Sequence, residues 1–256
     1  MQDLNIAILQ NEIKWEDPIE NYKLFTKQIG SITDKVDLII LPETFSTGFT
    51  SNVESASQSS AETINWMKNN AEKYDCAIIG SIIHKSKNKY KNRLFFVTPN
   101  QVFTYDKRHL FTLPSIQSSH PESKLVTSGN SRKIIEFRGW KILPTICFDL
   151  RFPKWNYNDK GYDILLNIAN WPSTRSKDWS ILLKARAIEN QAYVLACNRI
   201  GYVSELELSY SGNSMCLDYQ GNILGSLQEN HSGIIIQNLN KDTMMQFREK
   251  FPVIKR

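Results

Sequence analysis

The chain predicts an α/β fold with a mixed sheet or two sheets, and three observations lead there. Short continuous apolar runs recur along the whole sequence, and segments of helical periodicity separate them in both halves. Between these, pairs of alternating stretches meet at turn residues, the pattern of antiparallel hairpins. No Gly/Ser/Pro-rich linker, charge block or short internal repeat divides the chain, so residues 1–256 read as a single domain.

The elements follow in order. Residues 4–10 (LNIAILQ) form a buried strand, and Asp17 with Pro18 opens a helix reaching to about residue 32. Residues 36–41 (VDLIIL) make a second buried strand, ending at Pro42-Glu43. A helix from residue 60 or 61 to 74 carries apolar residues at helical spacing (Ile64, Met67, Ala71, Tyr74), and residues 76–84 (CAIIGSIIH) form a third strand. The basic run at residues 85–91 reads as a solvated hairpin, and residues 90–98 and 101–106 pair around Pro99-Asn100. Residues 108–130 are a long polar connection without periodicity, a length that compact domains tend to reserve for function. A second strand pair, 133–137 and 141–146, turns at Arg138-Gly139. The apolar run 163–169, a helix at 176–190 and a strand at 192–198 come next. Three strands (211–218, 222–227 and 233–239), with a turn at Gln220-Gly221, and a short helix complete the chain.

Composition narrows the function classes. With 41% hydrophobic and 22% charged residues the chain resembles an ordinary folded protein. No apolar run approaches the roughly 20 residues that span a bilayer. The first ten residues lack a basic stretch, apolar core and cleavage site, so a cytoplasmic protein without a membrane partner is expected. The net charge of +5, from 31 Lys+Arg and 26 Asp+Glu, gathers into no basic stripe with interleaved aromatics, so no nucleic-acid partner is expected. The 4 cysteines (Cys76, Cys147, Cys197, Cys216) have neither zinc spacing nor Cys-x-x-Cys pairing, which leaves free thiols and no metal site.

Cys147 stands apart from the other three. An apolar strand delivers it into Phe148-Asp149-Leu150-Arg151-Phe152-Pro153, where a helix is expected to start. The carboxyl end of such a strand is where ligands and reactive groups collect. Backbone N–H groups at a helix start favour a thiolate, and the Phe148 N–H is placed to receive an oxyanion. A buried structural cysteine is the competing reading. None of the 4 histidines (His84, His109, His120, His231) completes an obvious triad, although His109 follows Lys107-Arg108. Glu43, also at a strand end, is a candidate base, against a solvated end-of-strand acid. Lys107 ends another strand and is a candidate oxyanion donor able to lower the thiol pKa, against an ordinary surface lysine.

These segments together resemble the nitrilase superfamily of carbon–nitrogen hydrolases, in the order Leu41-Pro42-Glu43, Tyr105-Asp106-Lys107 and Ile146-Cys147-Phe148-Asp149-Leu150-Arg151-Phe152-Pro153. The stretch from Arg186 to Val194 is similar as well, and the likeness covers nearly the whole chain. The resemblance implies a four-layer αββα sandwich with two mixed sheets, homo-oligomers (dimer or higher), no metal and no cofactor. It implies Glu43, Lys107 and Cys147 as catalytic residues, with Glu122 as a further glutamate that orients Lys107 or assists proton transfer.

Within the superfamily the sequence is most similar to omega-amidases, through Phe45-Ser46-Thr47-Gly48-Phe49, residues 105–111, and Asn170-Trp171-Pro172 with Arg175 and Trp179. That likeness implies hydrolysis of the terminal amide of 2-oxo-dicarboxylic acid monoamides, such as 2-oxoglutaramate and 2-oxosuccinamate, with release of ammonia. Phe45, Trp171 and Arg175 are the candidate substrate-binding residues, Arg175 for the substrate carboxylate. A sister amidase acting on deaminated glutathione, an N-carbamoyl compound or an aliphatic amide is the nearest rival. A catalytically silent binding or assembly module is the rival from another class. Residues 112–121 depart from some family members, so the loop over the site is expected to differ.

Overall fold

The computed structural model describes residues 3–112 and 121–254. The elements run β1 (Leu4–Gln10), α1 (Pro18–Gly30), β2 (Leu38–Ile40), α2 (Val53–Gln58), α3 (Ser60–Tyr74), β3 (Ala77–Ser86), β4 (Lys89–Val97) and β5 (Val102–Asp106). They continue with α4 (Glu122–Leu125), β6 (Ile135–Phe137), β7 (Trp140–Ile146), α5 (Pro153–Asn156), β8 (Ile164–Ala169), α6 (Ser176–Asn190) and β9 (Tyr193–Asn198). The last are β10 (Ile200–Val203), β11 (Leu208–Ser211), β12 (Met215–Leu217), β13 (Ile223–Ser226), β14 (Gly233–Leu239) and α7 (Lys241–Lys250).

Two 6-stranded mixed sheets form the body, in the orders β14-β1-β2-β3-β4-β5 and β13-β12-β9-β8-β7-β6. At the centre of each sheet the strands are parallel, β1-β2-β3 in one and β7-β8-β9 in the other. Antiparallel strands flank both centres. Parallel strands need cover on both faces, and the side-chain alternation supplies it. From β1, Leu4, Ile6 and Ile8 point into the layer between the sheets, where Ile142, Ile146, Leu166 and Leu195 meet them. Ala7 and Leu9 point the other way, against Phe25 and Ile29 of α1 and Met67 and Ala71 of α3. On the far side Leu143, Leu165 and Val194 pack under Trp179, Leu183 and Ala187 of α6. The result is the αββα sandwich of the nitrilase-like fold. Each fully buried Leu or Ile contributes about 1.5–3 kcal/mol, so the layer between the sheets is the main source of stability.

Local chemistry sets most boundaries. Asp17 accepts from the Glu20 N–H and Pro18 occupies the first turn, which fixes the start of α1. α6 ends where Gln191 takes a left-handed φ of 46°. The expected strand 211–218 shortens to β12, because Gly212 and Asn213 have φ of 79° and 60° and break the extended backbone. The β10–β11 hairpin and α2 were not anticipated. Within the long connection α4 forms a single turn, whereas His120 and residues 113–120 lie outside the described residues. Among the described residues no helix is long and apolar enough to cross a membrane, and no cluster of His, Cys, Asp or Glu is placed to hold a metal.

Candidate active site

The carboxyl ends of the central parallel strands of both sheets converge on one pocket of about 390 Å³. Glu43 lies just beyond β2, Lys107 directly follows β5, Cys147 directly follows β7 and Asn170 directly follows β8. Strand ends carry these groups because the extended backbone stops there. At Cys147 φ is 47° and the chain enters a 3-10 turn over Cys147–Arg151. Thr44, next to Glu43, has φ of 44°. Left-handed backbone is costly for non-glycine residues, and here it brackets both the acid and the thiol.

Glu43, Lys107 and Glu122 form a buried ionic cluster, each no more than 2% exposed. Lys107 Nζ donates to Glu43 Oε1 at 2.9 Å and to both oxygens of Glu122 at 3.0 Å. Asn92 Nδ2 also donates to Glu43 Oε1 (2.7 Å), and the Asn170 N–H donates to Glu43 Oε2 (2.7 Å). Glu122 is anchored by the Phe111 N–H at 2.7 Å, and its own N–H returns to the Phe111 carbonyl at 3.0 Å. Burial opposes a charge on Lys107, but Glu122 and Glu43 outweigh it and hold the ammonium well above its ordinary range. Burial raises the Glu122 carboxyl; Lys107 pulls it back down and Glu43 pushes it up. The Lys107 ammonium also lies over the Phe49 ring, 5.6 Å from its centroid.

Cys147 sits at the pocket beside this cluster, partly exposed, with Sγ 3.9 Å from the Asn170 carbonyl. Burial first, and then the Glu43 charge, push its thiol well above the ordinary value, and Lys107 only moderates the rise. This corrects the expectation of a thiolate favoured by the turn and by Lys107. The resting group is a thiol facing a carboxylate, an arrangement suited to general-base activation at the moment of attack.

The rest of the wall is aromatic and cationic: Phe49, Phe111, Phe148 and Trp171, with Arg151 and Arg175. Arg175 lies over the Phe111 ring at 5.1 Å and Arg151 over the Trp171 ring at 5.0 Å. Arg151 is ion-paired with Asp178 at 2.5 Å, whereas no carboxylate pairs with Arg175 among the described residues. The Arg175 carbonyl accepts from Trp171 Nε1 at 2.8 Å, so the two residues share one rigid corner.

The structure thus brings Glu43, Lys107, Glu122, Cys147, Phe148, Trp171 and Arg175 together at the pocket. Phe45 is a correction. It is fully buried against Phe25 and Trp66 in the layer between sheet and helices, over Gly80, where a Cβ would come within 2.6 Å of its ring. The left-handed Thr44 turns the chain so that Phe49, not Phe45, reaches the pocket. His109 is no triad member either: it stacks on Phe152 at 3.7 Å and bonds to Asp149. Asn92 was not singled out from sequence, and Asn170 entered only as part of a shared motif, not as a partner of Glu43. Asn170 carried the same signal as Cys147, a polar residue at the carboxyl end of an apolar strand.

Two facing mixed sheets under helical cover, with a thiol and buried carboxylates at their shared carboxyl edge, define the class of fold and site as a hydrolase sandwich. The carbon–nitrogen hydrolase family pattern matches residues 5–249. Omega-amidase YafV of Escherichia coli (strain K12) is 40% identical over 253 residues, covering 98% of this chain and 96% of that protein. A 2-oxoglutaramate amidase of Bacillus subtilis (strain 168) is 31% identical over 257 residues, 97% of this chain and 95% of its own. Among solved structures, XC1258 from Xanthomonas campestris, a CN-hydrolase superfamily protein with an arsenic adduct in its active site, superposes with a TM-score of 0.92. It is 33% identical, covering 98% of this chain and 96% of that one. The chain belongs to the carbon–nitrogen hydrolase family, and it is an amide-hydrolysing enzyme.

Proposed function

We propose that the protein is an omega-amidase, releasing ammonia from the terminal amide of 2-oxo-dicarboxylic acid monoamides such as 2-oxoglutaramate. The carrying observation is a thiol beside a buried Glu43–Lys107–Glu122 cluster, in a pocket also lined by Arg175, which has no carboxylate partner among the described residues. Similarity to the omega-amidase and the 2-oxoglutaramate amidase above supports the same substrate class.

In this reading Glu43 takes the proton of Cys147 as sulfur attacks the amide carbon. Lys107 and the Phe148 N–H hold the resulting oxyanion, and Glu122 keeps Lys107 charged and aimed. Collapse breaks the C–N bond, and Glu43 hands its proton to the departing ammonia, leaving a thioester on Cys147. A water molecule, deprotonated by Glu43, then attacks the thioester; the carboxylic acid leaves and sulfur regains its proton. Arg175 receives the substrate carboxylate and Trp171 flanks it.

A 2-oxoglutaramate hydrolysis assay beside the Cys147→Ala protein tests this. Ammonia release by the first and none by the second is expected, while an inactive wild type alongside brisk turnover of deaminated glutathione, N-carbamoyl or aliphatic amides would transfer the activity to a sister class. Arg175→Ala is expected to raise KM for 2-oxoglutaramate about tenfold or more, the loss of one charge-assisted pair, and to spare a neutral amide. Equal KM changes for both substrates count against Arg175. We also place the enzyme in the cytoplasm, acting as a homo-oligomer.

A further inference from the structure

We propose that Asp149 is a positioning residue that fixes the Cys147 thiol relative to the Lys107 ammonium. The proposal rests on the roles given to those two residues above, not on the identity of the amide. Asp149 is fully buried, two residues past Cys147 in the 3-10 turn. Its Oδ2 accepts from the Ile146 N–H at 3.1 Å and from the Tyr105 hydroxyl at 2.7 Å. Its Oδ1 accepts from the His109 N–H at 2.8 Å and lies 2.8 Å from His109 Nδ1. Ile146 immediately precedes the nucleophile, and Tyr105 and His109 stand on either side of Lys107 in the chain. One carboxylate therefore ties both flanks of the lysine to the backbone entering the thiol, across the boundary between the two sheets.

The surroundings make this link stiff. The Tyr105 hydroxyl also accepts from Trp155 Nε1 at 3.1 Å and from the Arg108 N–H at 3.3 Å. Asn156 Nδ2 holds the Asp149 carbonyl at 2.8 Å, so the turn is tethered on its other side as well. Burial and the Asp149 charge push the Tyr105 hydroxyl well above its ordinary range, which keeps it a donor. The left-handed φ of 47° at Cys147 persists only where its neighbours over-determine it, and the Ile146–Asp149 bond spans that residue. A carboxylate is required: several N–H and O–H groups converge on two oxygens, and an amide in the same place turns one acceptor into a donor.

Misplacing reacting groups by about 1 Å costs on the order of 100-fold in rate, so the effect belongs in kcat. The test is steady-state kinetics of Asp149→Asn, Tyr105→Phe and the double variant, on whichever small amide the wild type turns over fastest. That choice keeps the outcome separate from the omega-amidase assignment, which the wild-type substrate profile alone decides. Expected are a kcat loss of about 100-fold for Asp149→Asn and about tenfold for Tyr105→Phe, with KM held within about threefold. The double variant is expected to match Asp149→Asn, since the phenol then has no carboxylate to serve. Should Asp149→Asn fail to fold, Tyr105→Phe decides alone, because it removes a single hydroxyl. The proposal is overturned by a Tyr105→Phe kcat within threefold of wild type, by KM rising in step with the fall in kcat, or by additive losses in the double variant.

Discussion

Glu43 does two things to Cys147 that one substitution separates: it stands ready to accept the proton, and its charge holds the thiol up. In Glu43→Gln the base is gone, so amide turnover should fall by about 1,000-fold or more. The raising charge is gone too while Lys107 remains, so the thiol pKa falls and the thiolate fraction at a fixed pH grows. The rate of Cys147 alkylation by iodoacetamide should then reach half its plateau at a lower pH than in wild type. A midpoint that stays put or climbs counts against the electrostatic reading. Lys107→Met probes the same cluster through stability. It leaves Glu43 and Glu122 buried without their cation, a change that costs about 3–5 kcal/mol. Glu122 is already raised from 4.5 in the folded protein, so the stability it contributes is full below that value and fades as pH rises through the folded pKa. Without the lowering influence of Lys107 that folded pKa climbs further, and the fading extends to higher pH. Thermal melts from about pH 5 to pH 8 should show a steeper loss in the variant than in wild type, and parallel curves would refute the linkage.

At the scale of elements, the strand end that carries Lys107 is closed by Gly129, whose N–H donates to the Lys107 carbonyl at 2.8 Å. A Cβ on Gly129 would lie 2.2 Å from the Asp106 carbonyl oxygen, so Gly129→Ala must push the loop off β5. Overpacking of this kind costs about 1–3 kcal/mol, and the displaced Lys107 should lower kcat as well. A melting temperature and kcat both unchanged from wild type would show that the loop yields freely. The elements that were legible in sequence are those whose apolar runs match their burial. β1, β8 and β9 follow their pattern because their apolar runs are buried on both faces of a sheet. β10 and β11 were illegible because they are 4 residues each, lie outside both main sheets and place Gly201 and Tyr202 where a strand signal would need buried apolar residues. Phe45 entered as a candidate through the motif Phe45–Phe49 that the resemblance supplied, and a shared motif does not say which of its two phenylalanines lines the pocket; Thr44, just before it, has a left-handed φ of 44°.

At the scale of the whole molecule, two central parallel strand sets end at one edge, and that convergence was readable because Glu43 and Cys147 each followed an apolar run and Lys107 closed a hairpin strand. Which of them touch was not readable, since Glu43 and Asn170 belong to different sheets and meet only after the sandwich closes. The outer surface makes the last prediction. α6 turns Trp179, Leu183 and Ala187 inward, yet Ile181 and Ile188 stand 55% and 56% exposed. Seven residues apart, they share one helix face. The turn after β12 lies beside Ile188, where a Cβ on Gly221 would approach Ile188 Cγ1 to 2.8 Å. Covering each isoleucine is worth about 1.5–3 kcal/mol, a useful share of what an interface of about 800 Å² per partner supplies. Sedimentation velocity should therefore find a homodimer or larger assembly for the wild type, and a monomer of unchanged melting behaviour at low concentration for Ile181→Glu/Ile188→Glu. A wild type that sediments as a monomer at all concentrations refutes the homo-oligomer, and an assembly indifferent to both glutamates moves the interface to another face.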